Sequence, residues 1–463
     1  MSAHDSFDGA GAIGCPAVFI AAPASGQGKT TVTAALARLL RNQGKVVRVF
    51  KTGPDYLDPQ VLEQASGQPV DQLDLWMAGE EYCRQRLHVA AREADLILVE
   101  GAMGLFDGEP SSADLAARFN IPMLVVMDVK GMAQTAAALM AGLAGFRDDV
   151  RILGLVANNC GSRRHRELIE EALPESVPLL ASVARNADIA LPERHLGLVQ
   201  AAEIRDDLEI RFNAGAKALE AEDLVSRLLA LPPVPFEPTG VDDPEALPSL
   251  HGRVIAIARD AAFSFIYQAN LDLLEAMGAE LRFFSPLVDR AVPPSDALWL
   301  PGGYPEIYGA RLAENTAMQA SIRAFYEAGK PILAECGGLL YCLEGLTDYD
   351  GRTHAMLGLL PGAGWMRGRR GCQGMQTADL PEGPVRGHAH HRSVAEGTPE
   401  PIAHGRRQRH PAPGEAIFRR RRLTATYLHL FFPNNPAAMA RLFGVDTPAT
   451  DTAIELKESQ GCN

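Results

Sequence analysis

Ten residues near the start of the chain, Ala22-Pro23-Ala24-Ser25-Gly26-Gln27-Gly28-Lys29-Thr30-Thr31, have the composition of a phosphate cradle. Glycines free backbone N–H groups to bind oxygen, a lysine neutralises phosphate charge, and the next hydroxyl holds Mg2+. The end of the stretch, Gly28-Lys29-Thr30, has the usual form. The glycine expected five residues before Gly28 is instead Pro23, so the loop reads as one residue longer, with Ala22 at the first-glycine position. Ser25, Gly26, Gln27, Gly28, Lys29, Thr30 and Thr31 are the expected nucleotide-binding residues.

Two further stretches carry the acids that a metal–phosphate site needs. "FKTGPDYLDP", residues 50 to 59, holds Lys51, Asp55 and Asp58; "LVEGAMGLFDG", residues 98 to 108, holds Glu100 and Asp107. Mg2+ prefers a few such oxygens together with phosphate and water. Thr30, Asp55 and Glu100 are the expected ligands, with Asp107 a further one. Taken alone, GPDY reads as a turn and Asp107 as a surface acid. Glu100 follows the apolar run LILV, where a charge needs a partner that a metal would supply.

A different chemistry is written later in the chain. In "PILAECGGLLY", residues 331 to 341, Cys336 sits between an apolar run and a helical pattern, as a nucleophile does on an elbow. A thiol at a helix N-terminus is expected to have a lowered pKa. "LWLPGGYPE" supplies Gly302 and Gly303, whose N–H groups would form an oxyanion hole. "TATYLHLFF" supplies His429 as a distant base. Singly, Cys336 reads as a core cysteine; the three stretches together read as a site. "RGHAHHRS", residues 386 to 393, adds histidines that would face this site, but no cysteine or acid stands near them at metal-ligand spacing.

The elements that must position these residues are legible as well. "AVFIAA" is an apolar strand leading into the loop, and "TVTAALARLLRNQG" puts Val32, Leu36, Leu39 and Leu40 on one helical face. "VVRVF", "LILVEG", "MLVVMDV" and "RILGLVANN" follow between helical stretches. Such apolar strands indicate a parallel sheet covered on both faces. A second set begins with "RVIAIARD" and continues through "ALWLPGG" and "PILAECGG". The fold class is therefore α/β, with an N-terminal doubly wound parallel sheet over residues 16–230 and a second α/β domain over 253–450. "LPPVPFEPTGVDDPEALPSLHG", residues 231–252, reads as a linker; 1–15 reads as a flexible start and 451–463 as a tail. The arginine-rich run over residues 400 to 422 reads as a solvated loop or hairpin.

The chain has 463 residues and a net charge of −13, which argues against nucleic acid as the main partner. Its seven cysteines form no CxxC pair, so neither a zinc site nor a disulfide framework is suggested. No apolar run spans a bilayer and no signal-peptide pattern opens the chain. The expected location is the cytoplasm, with no membrane partner.

These motifs resemble known families. The longer loop, with Ala24 where partition-type ATPases carry a lysine, resembles the dethiobiotin-synthetase branch of phosphate-loop proteins. PGGYPE, ECGG and YLH resemble the class I, triad-type glutamine amidotransferases. That resemblance implies Cys336 as nucleophile, His429 as base, and ammonia released from L-glutamine through a γ-glutamyl thioester. The sequence departs at the third triad position, where a glutamate two residues after the histidine is replaced by Phe431.

Over nearly the whole chain, APASGQGKTT, FKTGPDYLDP, QLDLWM, VEGAMGLFDG, SSADLA, NNCGSRRH, PGGYPE, ECGGLLY, RGH and TYLHL are similar to the a,c-diamide synthases of cobalamin biosynthesis. The resemblance implies ATP, Mg2+ and glutamine as reactants, and a homodimer. ATP activates a carboxylate as an acyl phosphate, and ammonia then displaces phosphate. The substrate implied is hydrogenobyrinic or cobyrinic acid, with Lys51, Asp55, Tyr56, Leu57 and Asp58 on the corrinoid side. GHAHHRS departs from the family's usual GHxFHYS at His390 and Arg392. Cobyric acid synthases and nickel-sirohydrochlorin a,c-diamide synthases share the chemistry, and the full GPDYLDP and VEGAMGLFDG favour the a,c-diamide enzymes over the former. A partition-type ATPase switch is disfavoured by Ala24 and by the whole C-terminal block. A glutaminase domain without activity would fit the lost glutamate but not the retained Cys336 and His429.

Overall fold

The computed structural model describes residues 11–194, 197–198, 204–239, 247–368 and 371–444. The chain forms two compact units. The first comprises Met1–Glu245 with Phe265–Leu271, and the second comprises Ala246–Ser264 with Asp272–Asn463.

The first unit is built on a seven-stranded sheet of β1 (Ala17–Ala21), β2 (Val47–Thr52), β3 (Asp71–Leu73), β4 (Leu96–Glu100), β5 (Met123–Asp128), β6 (Ile152–Cys160) and β7 (Leu179–Ala184). Their order is β3-β2-β4-β1-β5-β6-β7, and every neighbouring pair is parallel. Every residue of β1, β2 and β4 is buried, as in a parallel sheet covered on both faces, and β1 accordingly reads as an unbroken apolar run. Helix α1 (Lys29–Asn42) buries Val32, Leu36, Leu39 and Leu40, the face expected from its periodicity. The chain leaves β1 towards β2 on one side and later reaches β5 on the other. The strand order therefore reverses at β1, where ligands bind in such sheets.

The edges of this unit differ from the expected boundaries. Ile13–Cys15, expected in a flexible start, is a strand paired antiparallel with Val234–Phe236, expected in the linker. Backbone hydrogen bonds between two short segments, hidden from local sequence pattern, make the difference. The expected features at residues 1–10, 240–246 and 451–463 lie outside the described residues. Phe265–Leu271 also joins this unit: Phe265 stacks on Tyr56 with ring centroids 5.2 Å apart, and Tyr267 lies 4.4 Å from the same ring.

The second unit carries a ten-stranded sheet. Its strands are β8 (Val254–Ala258), β9 (Glu280–Phe284), β10 (Ala297–Leu300), β11 (Ile332–Glu335), β12 (Cys372–Leu380), β13 (Gly383–His391), β14 (Ala403–Arg407), β15 (Pro413–Arg420), β16 (Leu423–Thr426) and β17 (His429–Leu430). The order is β9-β8-β10-β11-β16-β15-β14-β12-β13-β17. The first five are parallel and the remaining pairings are antiparallel. Only Tyr427 and Leu428 join β16 to β17, yet four strands separate them in the sheet. The antiparallel extension therefore curls back and returns its last strand beside β16. The arginine-rich run forms the β14–β15 hairpin, with Arg406 paired to Asp379 and Arg419 to Glu382. Among the described residues, no helix is long and apolar enough to cross a membrane.

Candidate active sites

The phosphate loop follows β1 and ends in α1. Gly28 caps α1 at φ 91°, and a Cβ there would lie 2.1 Å from Asn158 Nδ2. The position therefore requires glycine both for its backbone and for its neighbour. Asn158 donates to the Gln27 carbonyl at 3.0 Å, and the Gln27 side chain accepts from the Asp128 N–H at 2.9 Å. The loop is thus held from β5 and β6, and Gln27's side chain is engaged in holding it. Ser25 and Gly26 are exposed at its crest. Lys29 is buried and donates to the carbonyl of Met103 at 2.7 Å. Burial and the neighbouring Lys51 lower its pKa to about 8, against the pull of Glu100, Asp58 and Asp107. Asn158 escaped the sequence reading because no local pattern links it to a loop 131 residues away.

The acids gather behind Thr30. Its hydroxyl bonds Glu100 Oε1 at 2.9 Å and Asp58 Oδ2 at 3.2 Å. Lys51 Nζ meets Glu100 Oε1 and Asp58 Oδ2, each at 2.9 Å, and Asp55 Oδ2 at 3.9 Å. Burial pushes the Lys51 ammonium down, but Asp58, Glu100 and Asp55 win and hold its pKa above the usual lysine value. Lys51, expected on the substrate side, is therefore the buried counter-ion of the cluster. Asp58 is held ionised by Lys51 despite burial. Burial and the Asp58 charge push Asp55 up.

The metal expectation is refined by these contacts. Glu100 Oε2 is buried without a hydrogen bond, so the carboxylate keeps one oxygen for a ligand. Thr30, Glu100 and Asp58 fit Mg2+ completed by phosphate and water. Asp58, expected to meet substrate, touches Thr30 directly. Asp55 instead caps helix α2 (Leu57–Ser66), its Oδ1 accepting from the N–H groups of Leu57 and Asp58. Asp107 closes its own turn by accepting from the Gly104 N–H at 3.2 Å and makes no bond to the Thr30 cluster. A carboxylate three residues beyond a glycine N–H finds the nearer donor first. Tyr56 and Leu57 are buried, Tyr56 beneath Phe265 and Tyr267, so they shape the Asp55 turn from below.

In the second unit, Cys336 links β11 to helix α3 (Gly337–Cys342) at φ 46°, ψ −101°. This is the strained backbone of a nucleophile elbow. A Cβ on Gly338 would lie 2.0 Å from the Leu300 carbonyl, so the turn closes against β10 only with glycine there. The expected low thiol pKa is not found. Burial pushes the Cys336 thiol up, Glu306 and Glu335 add to it, and the opposing Gly337 N–H is too weak. A six-residue helix supplies little dipole against full desolvation.

His429 is buried, and burial lowers its pKa to about 3, with His390 and His391 adding to the effect. The imidazole is therefore neutral and able to accept a proton. Gly302 lies against its ring: a Cβ there would be 2.2 Å from His429 Cε1. Gly303 N would lie 3.0 Å from a Cβ on Gly337, which puts the PGG turn beside the elbow. Both glycines expected at an oxyanion hole are thus adjacent to the thiol's turn or to the base. Of the RGHAHHRS histidines, His388 stacks on His429 at 5.0 Å, whereas His391 stacks on Tyr427 at 3.9 Å.

Glu335 was missed in the sequence. It is 2% exposed, and its two oxygens accept from Leu430 N at 2.8 Å and Trp299 Nε1 at 2.8 Å. It thereby ties the residue before the nucleophile to the residue after the base. An acid at the buried end of a strand, next to the elbow cysteine, was the available signal.

Residues 18–199 match the CobQ/CobB/MinD/ParA nucleotide binding domain family, and residues 254–437 match the CobB/CobQ-like glutamine amidotransferase domain family. A nucleotide-binding unit and a glutamine amidotransferase unit on one chain define an amidating ligase. The hydrogenobyrinate a,c-diamide synthase of Stutzerimonas stutzeri is 54% identical over 430 residues, covering 92% of this chain and 98% of that one. The protein of the same name from Pseudomonas aeruginosa is 53% identical, covering 94% and 98%. The cobyrinate a,c-diamide synthase of Herminiimonas arsenicoxydans is 45% identical, covering 93% and 97%. The chain belongs to the hydrogenobyrinate and cobyrinate a,c-diamide synthase family.

Proposed function

We propose that this chain converts the a- and c-side-chain carboxylates of hydrogenobyrinic acid to amides, using ATP and glutamine, as a step of cobalamin biosynthesis. Hydrogenobyrinate is favoured over cobyrinate because it stands in the names of the 54% and 53% identical relatives. The observation that carries the glutamine half is the strained Cys336 backbone in the same site as a neutral, buried His429.

The thiol starts protonated and the imidazole neutral. Cys336 Sγ attacks the glutamine amide carbon while its proton passes to His429. The oxyanion is met by N–H groups of the Gly302–Gly303 turn. His429 returns the proton to the leaving nitrogen, so ammonia departs and a γ-glutamyl thioester remains. Water hydrolyses the thioester to glutamate and restores the thiol. In the first unit, Lys29 and the loop N–H groups orient the ATP phosphates. A substrate carboxylate oxygen attacks the γ-phosphorus, giving an acyl phosphate and ADP. Ammonia then attacks the acyl carbon, and phosphate leaves. Thr30, Glu100 and Asp58 would hold Mg2+, which would supply charge neutralisation at the phosphates.

The test is the mass of the ring product after incubation with ATP, Mg2+, glutamine and hydrogenobyrinic acid. Two amides are expected. Cys336→Ala is expected to lose this product with glutamine and to regain it with ammonium. No mass change with either nitrogen donor would overturn the reading.

A further inference from the structure

We propose that Cys372, His391 and Glu415 form a binding site for a divalent cation of the zinc class. One donor atom from each residue lies within 4.8 Å of the other two. The three come from different strands, β12, β13 and β15, so no linear spacing announced them. Cys372 and His391 are direct cross-strand partners, which puts their side chains on the same face of the sheet. Glu415 reaches them because Gln376 lies across the hairpin. Gln376 Oε1 accepts from the Glu415 N–H at 2.8 Å, and a Cβ on either Gly405 or Gly414 would strike that oxygen.

The geometry of His391 points to a ligand. Its ring is 8% exposed and stacks on Tyr427. Nδ1 is 3.1 Å from the Ser393 carbonyl, which can only accept, so Nδ1 carries the proton and donates. Nε2 is the ring nitrogen left to face the cluster. It is buried without a hydrogen bond and faces Glu415 Oε2 at 3.4 Å. A buried imidazole nitrogen and a carboxylate oxygen this close share a proton or a metal ion, and the Cys372 thiol beside both completes a metal-ligand set. A backbone carbonyl holding the other ring nitrogen is the arrangement that orients a metal-bound histidine.

The donor set selects the ion. A thiolate, an imidazole and a carboxylate suit zinc and disfavour Mg2+ and Ca2+, which take oxygen. Three protein donors leave a fourth position for water. On binding, the Cys372 proton leaves to solvent, and thiolate and carboxylate balance the charge of the ion. Arg407 Nη2 lies 4.0 Å from Cys372 Sγ and partly offsets the burial and the Glu415 charge that oppose a free thiolate. The ion would pin β12, β13 and β15 together beneath Tyr427, two residues before His429.

The experiment uses the full chain, stripped with a chelator and titrated separately with ZnCl2 and CoCl2. One zinc per chain is expected, and Cys372→Ser is expected to weaken it by more than about tenfold. The cobalt protein is expected to show a sulfur-to-cobalt charge-transfer band that survives Cys336→Ser and disappears in Cys372→Ser. Glu415→Gln, a second and milder change, is expected to weaken zinc and shift the visible cobalt bands. No retained zinc, or zinc affinity and cobalt spectra unchanged by Cys372→Ser and Glu415→Gln, would overturn the proposal and leave a plain His391–Glu415 pair. These readouts do not depend on amidation, so they fail or succeed separately from the proposed reaction.

Discussion

Leu430 donates its backbone N–H to Glu335 Oε1 at 2.8 Å, across 95 positions of the chain. The residue before the nucleophile thus sets the position of the strand that carries the base. Glu335→Gln keeps the shape but replaces one acceptor oxygen with an NH2 group, which cannot accept. Either Leu430 or Trp299 then loses its bond. Glutamine-dependent turnover is expected to fall about 10–100-fold, since small misplacement of a catalytic pair is costly. Ammonia-dependent amidation should be unchanged. Equal loss with both nitrogen donors would make Glu335 a general stabiliser rather than a positioning residue.

Gly302 leaves no room for a methyl group. A Cβ 2.2 Å from His429 Cε1 must displace the ring. Gly302→Ala is expected to reduce glutamine hydrolysis by about 100-fold or more, mainly in kcat. Steady-state glutaminase assays check it, and a near-normal kcat would mean that the ring moves without leaving its working position.

Lys51 sits 3% exposed among Glu100, Asp58 and Asp55. Removing one partner from a buried ionic cluster leaves uncompensated charge and costs about 3–5 kcal/mol. Lys51→Met is expected to lose stability on that scale in denaturant unfolding of the unliganded protein. A change below about 1 kcal/mol would show the acids to be hydrated or protonated instead.

Burial raises Glu306 to about 7 and Glu335 to about 8. Folded protein therefore holds protons that unfolded chain has released above the ordinary glutamate value of about 4.3. The stability these groups contribute is present below that value and is lost as pH rises through 7 and 8. His429, lowered to about 3, has the opposite sign, but its contribution is complete by about pH 6.5. The melting temperature is expected to fall between about pH 6.5 and 8, above the His429 range and up to the raised glutamate values. Glu306→Gln should flatten that slope, and an unchanged slope would assign it to other groups.

What the sequence made legible was local. The phosphate loop and the cysteine elbow are strand–turn–helix units, so their residues stand within a few positions of one another. Val32, Leu36, Leu39 and Leu40 show their face by period alone. Roles set by distant contacts were hidden. Asp58 and Asp55 look interchangeable in GPDYLDP until the turn points one at Thr30 and the other at the start of α2. Glu335 depends on Leu430, and His391 depends on strand register with Cys372. That register pairing of Cys372 with His391 has no counterpart in cysteine spacing along the chain. The counter-ion contacts of Lys51 are hidden as well, since Glu100 meets it across paired parallel strands and Asp58 from the first turn of α2.

Phe265–Leu271 belongs to the first unit although the proline-rich segment precedes it. A gene cut within that segment would not give two self-sufficient halves. The N-terminal fragment would lack the Phe265 and Tyr267 rings that cover Tyr56, the neighbour of Asp55. Its aromatic patch would lie open to water, and such a fragment is expected to aggregate or to require the missing heptapeptide in trans. The chain therefore resists modular exchange: swapping glutaminase halves between relatives must carry this short return segment with its original nucleotide-binding partner.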